Sequence, residues 1–191
     1  YNNIRLLEDA YGINIRPLSM FALKNYPDEP AGKFLPKVFD YSKYQDSDKT
    51  IMARIQKAIM VIQLKLEGQL IKKHPEYEMD DRLMLDKIDY KKGTITIYGK
   101  EYELNDTDFP TINPKKPYEL TSEEKELVER LQESFTNSPK LNHQIKFLYD
   151  KGSIYKIFNS NLLLHACIPM TEDGEFKKVK IFGKELAGKE Y

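Results

Sequence analysis

The 191-residue chain balances thirty Lys+Arg against thirty Asp+Glu, a formal net charge of zero, so no global field draws it to nucleic acid or to anionic lipid. A 40% hydrophobic share with 13 Tyr and 9 Phe excludes a disordered chain, and a single cysteine excludes an internal disulfide framework and points to a reducing, cytoplasmic setting. The longest apolar run, Ala58 to Ile62, is far short of a membrane span, and no signal-peptide hydrophobic region follows Tyr1. Because the sequence starts on Tyr1 rather than Met, it is expected to be an excised piece of a longer protein.

In chain order, Ile4, Leu7 and Tyr11 recur at helical spacing and Gly12 is placed to end that helix. Pro17 suits the first turn of a second helix with Leu18, Phe21 and Ala22 on one face. An irregular arm over 27–46 follows, its Phe34, Phe39, Tyr41 and Tyr44 expected to pack. From acidic residues at 46–48 to Lys73, the positions Ile51, Ile55, Ala58, Ile59, Ile62, Leu66 and Leu70 define the most regular helix of the chain. Its other side carries Arg54, Lys57, Lys65 and Lys72, read as a solvated basic edge able to meet a phosphate. Gly68 weakens the helix and marks a close crossing by another element.

Residues 83–104 change to alternation, with Lys92-Gly93 and Gly99 as turns of a small antiparallel sheet. The proline-rich stretch 105–120 reads as a connecting arm. Thr121 and Glu124 form a capping box for one helix, and Ser138-Pro139 opens another that ends at Gly152. A strand over 153–158 leads through Asn159-Ser160 to Leu162-Leu163-Leu164, an apolar run of the kind found in strands buried on both faces. A further β pattern surrounds Phe182-Gly183, and Ile-Phe-Gly-Lys-Glu-Leu at 181–186 echoes Ile-Tyr-Gly-Lys-Glu-Tyr at 97–102, two similar hairpin turns.

Neither GxxxxGK[ST] nor GxGxxG occurs, so a P-loop or Rossmann role has no support. His74 and His143 read as ordinary surface residues, and Asp80-Asp81 and Glu123-Glu124 as helix-start charges. His165 is the unusual histidine, placed directly after an apolar strand, where α/β active sites gather ligands. The local pattern leaves two other readings open: a histidine satisfied by a backbone carbonyl, and a base for a Cys167 nucleophile, although no oxyanion hole is visible.

Six longer strings carry a resemblance: Tyr11-Gly-Ile-Asn-Ile-Arg-Pro-Leu18, Ile62-Gln-Leu-Lys-Leu-Glu-Gly-Gln-Leu-Ile71, Arg82-Leu-Met-Leu-Asp-Lys-Ile-Asp89, Phe109-Pro-Thr-Ile-Asn-Pro114, Gly152-Ser-Ile-Tyr-Lys156 and Asn161-Leu-Leu-Leu-His-Ala-Cys-Ile-Pro-Met170. Together they resemble the middle of the class III fructose-1,6-bisphosphatases found in Firmicutes, Bacteroidetes and relatives. The resemblance covers essentially the whole chain. It implies an enzyme similar to the calcineurin-like metallophosphatases, a β-sandwich flanked by helices, hydrolysing fructose 1,6-bisphosphate in gluconeogenesis, usually with manganese. The family's metal ligands come from Gly-Asp-x-His, Gly-Asp-x-x-Asp-Arg and Gly-Asn-His-Asp motifs and from two later histidines. Leu164-His165-Ala166-Cys167 matches the first of those later histidines; the three motifs and the second later histidine are absent from this sequence.

The expected fold class is thus mixed α/β, a fragment of that sandwich with a helical and β-hairpin insert. Residues 1–45 would lead out of the catalytic core, 46–140 would form the insert, and 141–191 would return. His165 is the expected metal ligand, Arg54, Lys57 and Lys65 are candidates for the distal phosphate, and the insert shapes the substrate cleft. The expected partners are fructose 1,6-bisphosphate and the rest of the parent catalytic domain, with no nucleic acid and no membrane; a homo-oligomer is left open. A fragment holding one ligand is expected to be inactive alone. The alternative is a non-catalytic interaction or regulatory domain sharing this fold.

Overall fold

The computed structural model describes residues 2–29, 32–35, 37 and 45–190, which divide into two compact units, Tyr1–Ser138 and Pro139–Tyr191. Helix and sheet are mixed in both, as expected. Among the described residues no helix is long and apolar enough to cross a membrane.

The first unit opens with α1 (Asn2–Tyr11), whose end is set by Gly12 at φ +65°, a left-handed conformation that glycine adopts without a Cβ clash. Helix α2 (Arg16–Asn25) carries its proline in the first turn, where no intrahelical N–H is needed, and buries Leu18, Phe21 and Ala22. Helix α3 (Asp46–Lys73) is the 28-residue spine. The Gln45 N–H donates to Asp48 Oδ2 at 3.0 Å to close its first turn. In the arm before it, Phe34 is half-buried, whereas Phe39, Tyr41 and Tyr44 lie outside the described residues.

Helix α3 is covered on two sides rather than one. Its Ile55, Ala58 and Ile62 join Leu18, Phe21, Ala22, Tyr26, Leu120 and Leu127 in one cluster, and Val61 joins Leu85, Ile112 and Tyr118 in a second. Burying each such side chain contributes about 1.5–3 kcal/mol before entropy is subtracted. The second buried stripe is Lys57, Val61, Lys65, Gly68 and Ile71, spaced by three and four residues. Leu66 and Leu70, expected in the core, are 38% and 51% exposed. The expected apolar face holds from Ile51 to Ile62 and fails at Leu66 and Leu70, and the side expected to be solvated is buried at Lys57 and Lys65, because burial on two sides leaves no wholly polar face.

Gly68 is the close crossing that its position implied. A Cβ there would lie 2.1 Å from Tyr118 Cδ1, and that ring is buried, with Gln69 Nε2 donating to the Tyr118 carbonyl at 2.6 Å. Gly68→Ala should therefore lose more to overpacking, about 1–3 kcal/mol, than the ~1 kcal/mol it gains in helix propensity. Urea denaturation checks this; an alanine variant at least as stable as the parent would show that Tyr118 does not sit on residue 68.

Leu83 and Leu85, expected to begin the sheet, do not: Leu83 lies between 3₁₀ turns at Asp80–Arg82 and Leu85–Lys87, and Leu85 opens the second of them, buried in the second cluster beside α3. A three-stranded antiparallel meander follows, β1 (Ile88–Asp89), β2 (Thr94–Ile97) and β3 (Lys100–Glu103), with Ile95 opposite both Ile88 and Tyr102. No helix or strand occupies the arm between β3 and Thr121. Helix α4 (Ser122–Thr136) starts on the anticipated capping box: the Glu124 N–H donates to Thr121 Oγ1 at 3.1 Å and the Thr121 N–H to Glu124 Oε2 at 2.8 Å.

The second unit holds α5 (Pro139–Lys151) and two hairpins, β4 (Tyr155–Phe158) with β5 (Asn161–Leu164) and β6 (Val179–Ile181) with β7 (Lys184–Leu186). Leu162, Leu163 and Leu164, expected to be buried on both faces, are 56%, 51% and 45% exposed. The reason is topological: among the described residues β5 pairs with β4 alone, and a two-stranded ribbon by itself has no layer to cover either face.

Candidate active-site cleft at the end of strand five

The β4–β5 turn places Asn159 and Ser160 at φ +49° and +60°, the left-handed pair that matches the twist of a two-residue hairpin loop. Register follows from that turn: Phe158 faces Asn161, and at the far end Tyr155 faces Leu164. The entry to β4 and the exit of β5 therefore meet at one end of the ribbon. His165 is the first residue past β5, exposed, and Cys167 beside it is an exposed free thiol.

His165 and Cys167 line an open cleft of about 780 Å³ together with Lys151, Ser153, Tyr155 and Lys156. Its described lining carries two ammonium groups, one imidazole and no carboxylate. Such a cleft suits a phosphate, which takes charge-assisted hydrogen bonds from lysine and a further one from a hydroxyl. Lys151 and Lys156 were missed at the sequence level. Lys156 closes the string Gly152-Ser-Ile-Tyr-Lys156 and Lys151 directly precedes it, but only pairing of the strands brings that string opposite His165.

The same lining does not by itself complete a manganese site. A catalytic metal centre takes about three protein ligands with one open position, and among the described residues no group of three or more His, Cys, Asp or Glu could hold an ion. His165 is one candidate ligand standing alone.

The three cations assigned to a distal phosphate have other surroundings. Lys57 is fully buried and donates to Glu29 Oε2 at 2.6 Å and Asp106 Oδ2 at 3.0 Å, with Asp108 Oδ2 at 3.7 Å. The rings of Tyr26, Phe34 and Phe109 close around its ammonium at 5.4–6.0 Å. Lys65 is fully buried as well, donating to Glu124 Oε2 and to the Thr111 carbonyl, both at 2.6 Å. The solvated basic edge is thus corrected at both positions: these lysines face carboxylates in the interior. Arg54 is half-buried, its Nη2 donating to the Pro27 carbonyl, and its Nε has no partner among the described residues. The pair Glu123-Glu124 does more than start α4, since Glu123 accepts from Lys24 at 2.9 Å and Glu124 is the buried partner of Lys65.

Titration follows from this burial. Burial pushes the Tyr26 phenol up to about 12, partly offset by its hydrogen bond to Thr111 and reinforced by the charges of Glu124 and Asp108. For Lys57, burial alone would lower the ammonium's pKa; the hydrogen bonds to Glu29 and Asp106 outweigh it and raise the net value. In both groups the folded pKa exceeds the unfolded one, so the stability they contribute is complete below the unfolded pKa and is lost as pH rises through the folded one. The first unit should hold its stability to about pH 10 and lose about 2–3 kcal/mol by pH 12 through Tyr26 alone. Denaturation midpoints at pH 9 and pH 11.5 measure it; an unchanged midpoint, or a Tyr26→Phe variant equally alkali-sensitive, would remove Tyr26 from the cause.

The family model for Firmicute fructose-1,6-bisphosphatase matches residues 1–191, and the chain belongs to that family. Its relatives include the class 3 fructose-1,6-bisphosphatase of Clostridium tetani, 52% identical over 99% of this chain and 28% of the relative's length. The class 3 enzyme of Listeria innocua is 49% identical over all of this chain and 29% of its own length, and one from Clostridium beijerinckii is 52% identical with the same coverage. The chain thus spans under a third of the curated relatives it matches. No solved structure matches the chain.

Proposed function

We propose that this chain is part of a metal-dependent phosphatase that hydrolyses fructose 1,6-bisphosphate to fructose 6-phosphate and phosphate, a gluconeogenic step of the cytoplasm. The observation that carries the reading is identity of about half, along the entire chain, to proteins named class 3 fructose-1,6-bisphosphatases. In this reading the β4–β5 hairpin, which carries exposed leucines on both faces, is covered by the rest of the parent catalytic domain, completing a calcineurin-like β-sandwich; the exposure of Leu162, Leu163 and Leu164 supports it.

His165 is proposed as one ligand of a manganese site whose other ligands come from residues outside this chain. Lys151 and Lys156 draw the substrate's phosphate into the basic cleft and hold charge on its oxygens, the electrostatic part of phosphoryl transfer. The distal-phosphate role falls to Arg54 alone of the three sequence candidates, because Lys57 and Lys65 spend their donors on buried acceptors. Residues 46–140 are proposed as the insert that shapes the substrate cleft.

Phosphate release tests the reading. The longer protein should turn over fructose 1,6-bisphosphate with manganese, lose activity to a chelator and regain it on metal return, while this chain alone releases none. Lys156→Ala in the longer protein should raise KM at least tenfold. A longer protein inert toward sugar bisphosphates would overturn the function, and turnover by this chain alone would overturn the shared site.

A further inference from the structure

Leu66 and Leu70, left outside the two cores of α3, do not stand alone. With Ile59 and Gln63 they run along one side of the helix at separations of four, three and four residues, the spacing of a seam that faces another helix. Helix α4 adds Val128 and Leu131, and α2 adds Leu18. Together these residues line an open trough of about 660 Å³ within the first unit. Its α3 wall, from residue 59 to residue 70, is about 17 Å long at the helical rise.

Charge and burial together select what covers it. The lining holds one acid and one base, Glu67 and Arg82, joined to each other at 2.6 Å, and the amides Gln63 and Gln132. A face without net charge offers an acidic or a basic partner nothing to select. A two-fold axis, by contrast, sets a surface against itself, and a patch bearing both signs and two amides meets its own copy without like-charge repulsion. Burial separates this face from those that the longer protein must cover. The first unit already closes two clusters around α3, whereas among the described residues of the second unit no hydrophobic side chain is buried. The need for the rest of the longer protein therefore falls on the second unit, and the trough of the first is left to another molecule.

We propose that this trough is a self-association surface whose partner is a second copy of the chain, docked isologously through α3. Gln63 lies in the middle of the seam, next to the two-fold axis, where its amide donates to and accepts from its own counterpart. A single polar residue in such a seam fixes register. Leu66 and Leu70 of each copy enter the trough of the other. Eleven residues line it, about half of the 20–30 a side found in stable interfaces, so the dimer is expected to dissociate on the order of 10 μM. None of these residues belongs to the proposed catalytic cleft.

Sedimentation equilibrium of this chain and of the longer protein, from about tenfold below to tenfold above that concentration, tests it. The mass of each should rise with concentration. Leu66→Glu/Leu70→Glu, at two exposed positions, should weaken association at least ~100-fold, because docking would bury unpaired carboxylates, and should leave the circular-dichroism melt of the first unit unchanged. In this chain carrying Gln63→Cys/Cys167→Ser, mild oxidation should join two copies through residue 63, which requires their Cα atoms to approach within about 7 Å. A mass that stays monomeric in either protein, association that persists in Leu66→Glu/Leu70→Glu, or no cross-link at concentrations where the parent chain associates would each overturn the proposal.

Discussion

Lys65→Met is expected to destabilise the first unit by about 3–5 kcal/mol, the range found when one partner of a buried ion pair is removed. The loss exceeds that of an exposed pair because Glu124 is left charged, fully buried and without its ammonium, while the Thr111 carbonyl loses its donor as well. Lys65→Met/Glu124→Gln should recover much of the loss: the amide carries no charge to strand, and Gln at this position of the capping box can still accept from the Thr121 N–H. Urea denaturation followed by circular dichroism measures both. A Lys65→Met variant within about 1 kcal/mol of the parent would place the pair in solvent, and a double variant no better than the single one would remove the stranded charge as the cause.

The second large effect is functional and rests on the proposed activity. In the longer protein, His165→Ala should cut phosphate release by more than about 100-fold, beyond the 10–100-fold that losing an outer-shell partner of a ligand typically costs, and should lower bound manganese with the fold intact. Cys167→Ala should do far less, because the proposed chemistry uses no thiolate nucleophile. Phosphate release and metal content measured on both variants separate the two readings that a strand-end His-x-Cys leaves open. Severe loss at Cys167 with normal metal content would reverse the assignment.

The contrast between Lys57 and His165 shows why the candidate site was only partly legible. His165 stands out locally, since an apolar strand precedes it and the chain turns immediately after. The cleft it lines needs Lys151, Ser153, Tyr155 and Lys156, which precede it by 9–14 positions and reach it only through the register of β4 on β5. Lys57 and Lys65 presented the opposite problem. Their spacing on α3 was plain, but two lysines eight residues apart on one side of a helix look the same on a solvated edge as in an interior.

Local chemistry alone therefore determined where this chain bends and where it runs straight. Gly12 ended α1, the capping box of Thr121 and Glu124 started α4, the prolines between 105 and 120 kept the arm free of regular structure, and Asn159-Ser160 closed the hairpin that presents His165. Each of these acts over a few residues of backbone geometry. Burial was decided only by the tertiary structure, because it depends on partners far along the chain: Glu29 lies 28 positions from Lys57, Asp106 lies 49 from it, and Glu124 lies 59 from Lys65. A charged side chain can leave water only where an opposite charge and sufficient hydrogen-bond acceptors arrive with it, and their arrival is settled by packing rather than by spacing.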